Sequence, residues 1–394
     1  MILSEQDRMF RESLREFLQK EVEPDLPEAD REPMDKEEAV EYQLALGELG
    51  VGPGAGEEAE FEDPVTYAVV VEEIARVWPS LVMAITMGFP FPAMLVPYAG
   101  ERTRDALADE ARAGEVIGCL AVTEPEGGSD NTRPSTTARR EGDEYVIDGS
   151  KTWVSNATIA DVALVLAWDE EAETRDFFVV DAETAPFETR ELEKLGWKAS
   201  PTGEMFFDGC RVPVENKLTN VVTEMMAEGA TDVLENPIFR THDPLNAMFS
   251  YMRVGMSSIA VGTAQAAFEA ALDYASEREV GGDAIASKQM IQETLYEMKA
   301  GLTSSRLLTH HAAQHLAEGH EDARMLSSLA KGYSCERAVE VTSSAVQIHG
   351  ANGLSPDYPV ERYFRDARTT TIPDGTTEIQ KLVVGSELTG HNAY

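Results

Sequence analysis

Apolar residues recur at helical spacing through the first third of the chain, where Phe10, Leu14, Phe17, Leu18 and Val22 fall on one face. The same period predicts helices over 36–48, 65–78 and 102–113. From about 115 to 215 the pattern changes to short apolar runs punctuated by turn residues. Val116–Val122, Tyr145–Ile147, Val162–Leu166 and Phe177–Val180 read as strands, and Asp148-Gly149 reads as a turn after the second. Long helical periods then return over 245–278, 285–317 and 322–348, with a shorter one over 376–388. The order predicts a mainly α protein with a central β domain. Its divisions are an N-terminal helical domain (1–114), the β domain (115–215), an acidic, irregular insertion or linker (216–243) and a C-terminal helical bundle (244–394).

Val77–Gly100 carries no charge and is long enough to span a bilayer. Pro79, Gly88, Pro90, Pro92 and Pro97 interrupt it, so it reads as buried helix and loop rather than a membrane span. The charge balance changes the picture further: 33 Lys and Arg stand against 71 Asp and Glu, a net −38. That excess excludes a nucleic-acid binder and a protein docked on anionic lipid. With 43% hydrophobic residues the chain still builds a core. A surface suited to high salt explains the excess. Cys119, Cys210 and Cys335 are too scattered for a disulfide framework or a zinc site, and the first residues lack a signal-peptide pattern. A cytoplasmic location is expected. His310, His311 and His315 lack the further ligands of a metal site and read as a solvated helix face. Gly52-Pro53-Gly54-Ala55-Gly56 follows no strand and reads as a plain loop.

Four stretches are poorly explained by packing alone. Thr123-Glu124-Pro125-Glu126-Gly127-Gly128-Ser129-Asp130 follows a strand, and its glycines let backbone approach a ligand while Thr123 and Ser129 offer donors. A plain turn accounts for the same residues. In Lys151-Thr152-Trp153-Val154-Ser155-Asn156, Trp153 and Ser155 share one strand face, which suits a planar cofactor, although a lone tryptophan is more often core. Gln347-Ile348-His349-Gly350-Ala351-Asn352-Gly353 ends a helix, and a C-cap explains its glycines but not its polar residues. The last stretch runs from Tyr358-Pro359-Val360-Glu361-Arg362 to Ile372-Pro373-Asp374-Gly375-Thr376-Thr377-Glu378. Pro-Asp-Gly is a common turn. A carboxylate there can also project into a cavity, where burial raises its pKa and makes it a base.

Together, in this order and spacing, these stretches resemble the acyl-CoA dehydrogenase family over nearly the whole chain. Thr-Glu-Pro-x-x-Gly-Ser-Asp combined with Tyr-Pro-Val-Glu-Arg and Asp-Gly-Thr is highly specific. The resemblance implies an N-terminal helical domain, a middle β-barrel or sandwich and a C-terminal four-helix bundle. It also implies FAD between the β domain and the bundle, and a homotetramer. Leu120, Val122, Thr123 and Ser129 match one flavin-contacting segment, and Trp153 and Ser155 match a second. Arg278 and Gln289 match positions that reach the ADP part of FAD in a neighbouring subunit, with Gln347, Gly350 and Ala351 meeting the same cofactor. Thr376 and Glu378 match flavin contacts after the base, and Ser129, Ser250, Arg253 and Gly375 match acyl-CoA contacts.

The implied reaction is α,β-dehydrogenation of an acyl-CoA thioester, with Asp374 taking the α-proton and a hydride passing to flavin N5. Electrons then pass to an electron-transfer flavoprotein. The family base is usually Glu, and an Asp base resembles the cyclohexanecarboxyl-CoA dehydrogenase branch. Met252 stands where some relatives carry the base, and Gly281 replaces the usual Phe of an Arg-x-x-Phe-Gly segment. An acyl-CoA oxidase, or a non-catalytic flavin- or acyl-CoA-binding protein, is the alternative on the same fold.

Overall fold

The computed structural model describes residues 5–24, 26–51, 63–86, 90–230, 237–238 and 244–393. In its first part α1 (Glu5–Phe17) continues into a widened turn over Leu18–Val22, and the predicted stripe is realised: Leu14, Leu18 and Val22 are buried. After α2 (Leu26–Ala29), Asp35 caps α3 (Lys36–Gly47) by accepting from the Glu38 N–H, satisfying a donor that the helix leaves open. Asp63 does the same for α4 (Pro64–Val77), which starts on a proline whose missing N–H costs nothing there. The Gly52–Gly56 loop lies outside the described residues.

The charge-free stretch forms α5 (Pro79–Thr86) and α6 (Pro90–Leu95), with Trp78, Leu81 and Val82 fully buried. Among the described residues no helix is long and apolar enough to cross a membrane. Next, α7 (Glu101–Ala113) leads into the sheet.

Seven strands form one curled sheet, a half-barrel in keeping with the expected middle β domain. They are β1 (Gly118–Ala121), β2 (Thr137–Glu141), β3 (Glu144–Ser155), β4 (Val162–Asp169), β5 (Thr174–Asp181), β6 (Glu188–Glu191) and β7 (Thr202–Pro213). Their order is β1-β4-β2-β3-β7-β6, with β5 also on β4. Strand alternation sends Ala163, Val165 and Ala167 to one apolar cluster and Val162, Leu164 and Leu166 to another, so β4 is buried on both faces.

Asp148-Gly149 is not a turn. β3 runs through it with a register shift against β7 between Ile147 and Gly149. Gly149 has φ 147°, and a Cβ there would lie 2.6 Å from the Thr136 hydroxyl and 2.7 Å from its Cα. The dipeptide with turn chemistry instead builds a bulge, which lets a long strand bend. The 216–243 segment is also less irregular than predicted: Leu218–Ala227 forms α8, which buries Val221 and Met225 beside Leu164 and Leu166.

The last part comprises α9 (Pro244–Glu277), a short hairpin of β8 (Glu279–Val280) and β9 (Asp283–Ala284), α10 (Gln289–Ala317) and α11 (Ala323–His349). It ends with α12 (Val360–Thr370) and α13 (Thr377–Thr389). α9, α10, α11 and α13 make the helix bundle, and α4 packs on α9 and α10. His310 departs from the solvated face expected of it: it is buried, its Nε2 3.5 Å from Glu72 of α4. Among the described residues no group of His, Cys, Asp and Glu can hold a metal ion.

Candidate active site

Asp374 sits in the short turn between α12 and α13. Its φ is 55° and that of Gly375 is 85°, two successive left-handed residues. Such backbone persists only when its surroundings fix it. Three groups do so here. Gln380 Nε2 donates to the carbonyls of Asp374 (3.0 Å) and Gly375 (2.9 Å). Lys331 Nζ donates to the Gly375 carbonyl at 2.7 Å. The Thr377 N–H donates to the Thr371 carbonyl across the turn at 3.1 Å. Thr376 caps α13 through its hydroxyl oxygen, and Glu378 is exposed in the first turn of that helix.

The turn aims the Asp374 carboxyl inward, and Oδ2 is buried without a hydrogen-bond partner. Burial pushes this carboxyl up to about 6, with Lys331 and Arg253 acting against the rise. Arg253 is buried on α9, and Ser250 one turn earlier is fully buried with its hydroxyl donated to the Asn246 carbonyl (2.8 Å). Lys331 is a site residue that the motifs do not contain. Its signal is a lysine on the buried face of α11, in step with Ser327, Ser334, Cys335 and Ala338.

A second group of predicted residues gathers where the loop after β1 meets β3. The Thr152 N–H donates to the Thr123 carbonyl at 2.9 Å, so the Thr123–Asp130 loop and β3 are neighbours. Beneath them Lys151, with no exposed surface, donates to Glu124 Oε1 at 2.7 Å and to the Val122 carbonyl at 3.2 Å. Burial works against the Glu124 charge. The Lys151 bond and the N–H groups of Ser135 (2.6 Å) and Thr136 (2.8 Å) nevertheless hold this carboxyl down to about 2. Above this ion pair Leu120, Val122, Thr123 and Ser155 are half-buried and Ser129 is exposed.

Trp153 is 59% exposed with φ 58°, beside a second register shift between Lys151 and Val154. A bulge that turns an indole out of a buried strand suits a planar ring system; packing alone would turn it inward. The residues present therefore fit a flavin.

A third group gathers at one end of the bundle. Tyr274 stacks on His349 with ring centroids 4.2 Å apart, and Asn352 Nδ2 donates to the Tyr274 hydroxyl at 3.1 Å. These contacts join the end of α9, just before Arg278, to the last turn of α11, which carries Gln347, and to the turn after it, which carries Gly350 and Ala351. All four, and Gln289 at the start of α10, are exposed.

Three sequence families match consecutive parts of this architecture: the acyl-CoA dehydrogenase N-terminal domain over residues 4–114, the middle domain over 119–210 and the C-terminal domain over 244–389. The chain belongs to the acyl-CoA dehydrogenase family of oxidoreductases, which bind FAD and dehydrogenate acyl-CoA substrates. It is 32% identical to the mouse mitochondrial short-chain specific acyl-CoA dehydrogenase, over 98% of this chain and 90% of that protein. It is also 32% identical to a glutaryl-CoA dehydrogenase of Desulfococcus multivorans, over 98% of this chain and 97% of that one. The solved butyryl-CoA dehydrogenase of Megasphaera elsdenii superposes with a TM-score of 0.82 at 26% identity, covering 99% of both chains.

Proposed function

We propose that the chain converts a compact acyl-CoA thioester to its trans-2-enoyl-CoA, with Asp374 as the base that takes the α-proton. The observation that carries this reading is the Asp374 carboxyl, whose Oδ2 is buried, unpartnered and raised to about 6. Such a group is ionised at neutral pH and keeps a lone pair for a proton. Bound FAD supplies the hydride acceptor.

The chain's own residues hold the reactants. The Asp374 backbone N–H polarises the thioester carbonyl, which makes the α-proton acidic enough to remove. Gly375, Ser250, Arg253 and Ser129 border the acyl-CoA. Trp153 carries the flavin ring, with Leu120, Val122, Thr123, Ser129, Ser155, Thr376 and Glu378 around it. Arg278, Gln289, Gln347, Gly350 and Ala351 meet the ADP part of a neighbouring subunit's cofactor in a homotetramer. Exposed Met290, Tyr296 and Leu388 on the bundle helices support that assembly. An electron-transfer flavoprotein accepts the electrons, in a cytoplasm whose high salt the acidic surface suits.

Two features favour a compact acyl group, short or alicyclic. Asp374 is one methylene shorter than Glu, so the α-carbon must come closer to the turn. Tyr67 of α4 is buried where a Cβ on Gly255 would lie 2.2 Å from its hydroxyl. The Asp374 charge and burial raise the Tyr67 hydroxyl, burial being the larger cause, so a neutral phenol stands beside the base. The similarity to proteins named for short-chain and butyryl substrates supports the same choice.

Anaerobic flavin reduction by such a substrate tests the reading. The wild-type rate falls as pH drops through about 6, because protonation removes the base. Asp374→Asn slows reduction about a thousandfold at pH 8 while retaining FAD. Reduction of the Asn variant at the wild-type rate would remove Asp374 as the base.

A further inference from the structure

The bundle core holds a lysine that the reaction leaves without a role. Lys331 has no exposed surface, and its face of α11 is otherwise lined by Ser327, Ser334, Cys335 and Ala338. Burying an ammonium in such surroundings is unfavourable unless its charge is answered. Its Nζ donates to the Gly375 carbonyl at 2.7 Å, and a neutral carbonyl alone does not answer a charge. The charged and titratable groups around the turn are Lys331 and Cys335 from α11, Arg253 and Tyr251 from α9, Tyr67 from α4 and Glu378 from α13. Lys331 and Arg253 are the cations that face Asp374, and Glu378 is exposed. The Gly375 carbonyl that Lys331 binds follows Asp374 directly, so the ammonium lies next to the residue whose carboxyl oxygen is buried and unpartnered.

We propose that Lys331 is a positioning residue for the base, holding the left-handed Asp374–Gly375 turn through the Gly375 carbonyl and setting its ammonium charge next to the Asp374 carboxyl. The inference rests on Asp374 being the base. One ammonium thus does two jobs. It fixes the backbone whose Asp374 N–H is aimed at the thioester, and it offsets the burial that would otherwise leave the carboxyl protonated and idle.

The experiment compares the FAD-loaded wild type with Lys331→Met, which keeps the length of the side chain without its charge, and Lys331→Arg, which keeps the charge. Two quantities are read between pH 5 and 9: the rate of anaerobic flavin reduction by acyl-CoA, and the Asp374 carboxyl resonance in a carbon-13 NMR titration. Its absence in Asp374→Asn identifies that resonance. In Lys331→Met both midpoints move up by about one pH unit or more, and the rate recovers as pH rises. Lys331→Arg keeps the wild-type midpoint. An unmoved midpoint in Lys331→Met, with only stability or flavin content reduced, would overturn the proposal and leave the lysine a packing residue. If Lys331→Met does not fold, Lys331→Gln supplies the same readout, since it too removes the charge: an upward shift supports the proposal and none overturns it. The Asp374→Asn rate separates the two readings. An active Asn variant defeats the base itself, whereas an inactive one with an unmoved Lys331→Met midpoint defeats the lysine's role alone.

Discussion

Asp374 and Asp366 stand at the two ends of one short stretch, and burial raises both carboxyls, but their surroundings give them different work. Each carboxyl has cations facing it and one buried oxygen without a hydrogen-bond partner, but Asp374 stands on the left-handed turn before α13, beside Arg253 and Ser250 of α9. Asp366, fully buried on α12, accepts from the Trp197 N–H at 2.7 Å and faces the nearby Asp30 carboxyl, which adds to its rise. Trp197 itself is held at φ 53°, so this bond ties a strained residue of the β domain to the C-terminal helices. A carboxyl raised in the folded state stabilises the fold when protonated, and that stability is lost as pH rises through its folded pKa. Each pKa unit is worth about 1.4 kcal/mol. Asp366→Asn keeps an acceptor for Trp197 and cannot ionise. Its thermal midpoint should exceed the wild type's at pH 8 by the equivalent of about 1 kcal/mol and match it near pH 4. A variant less stable at both pH values would contradict this account.

At the scale of elements, the long periodic helices were legible because one face of each must be buried: the expected 245–278 and 322–348 became Pro244–Glu277 and Ala323–His349. β2, β6 and α12 were not anticipated. β2 reads Thr-Ala-Arg-Arg-Glu and β6 is exposed along its whole length, so neither carries an apolar run that marks it in the sequence. Asp148-Gly149 was misread because the same left-handed freedom serves a hairpin turn or a bulge, and only the partner strand decides. The motifs singled out Trp153 and Asp374, but nothing in them told that the indole is exposed or that the Asp374 carboxyl oxygen is buried. Lys331 was hidden because its partner carbonyl is forty-four residues away in sequence. The bulge also makes a prediction. Gly149→Val would drive its Cβ into Thr136, whose N–H holds Glu124, and so loosen the loop beside Trp153. A loss of about 2 kcal/mol or more in unfolding, together with weaker FAD retention on gel filtration, is expected. Full stability and flavin content would show that the bulge relaxes freely.

Across the whole molecule the N-terminal helices, the curled sheet and the bundle divide the task. The sheet presents an indole and a loop braced by a buried ion pair, while the bundle presents a buried carboxylate on a strained turn. The net charge of −38 bears on the conditions more than on the chemistry, since salt screens an acidic surface and leaves buried pairs such as Lys151–Glu124 largely untouched. The central claim is that this architecture oxidises a compact acyl-CoA at the α,β-bond through Asp374. The most direct test is the flavin absorbance of the purified protein, kept at high salt and titrated anaerobically with short linear, branched, alicyclic and long linear acyl-CoAs. The account predicts bleaching with a compact acyl group and little or none with the long chain. A flavin that no compact acyl-CoA bleaches, in a protein that holds FAD tightly, would contradict it.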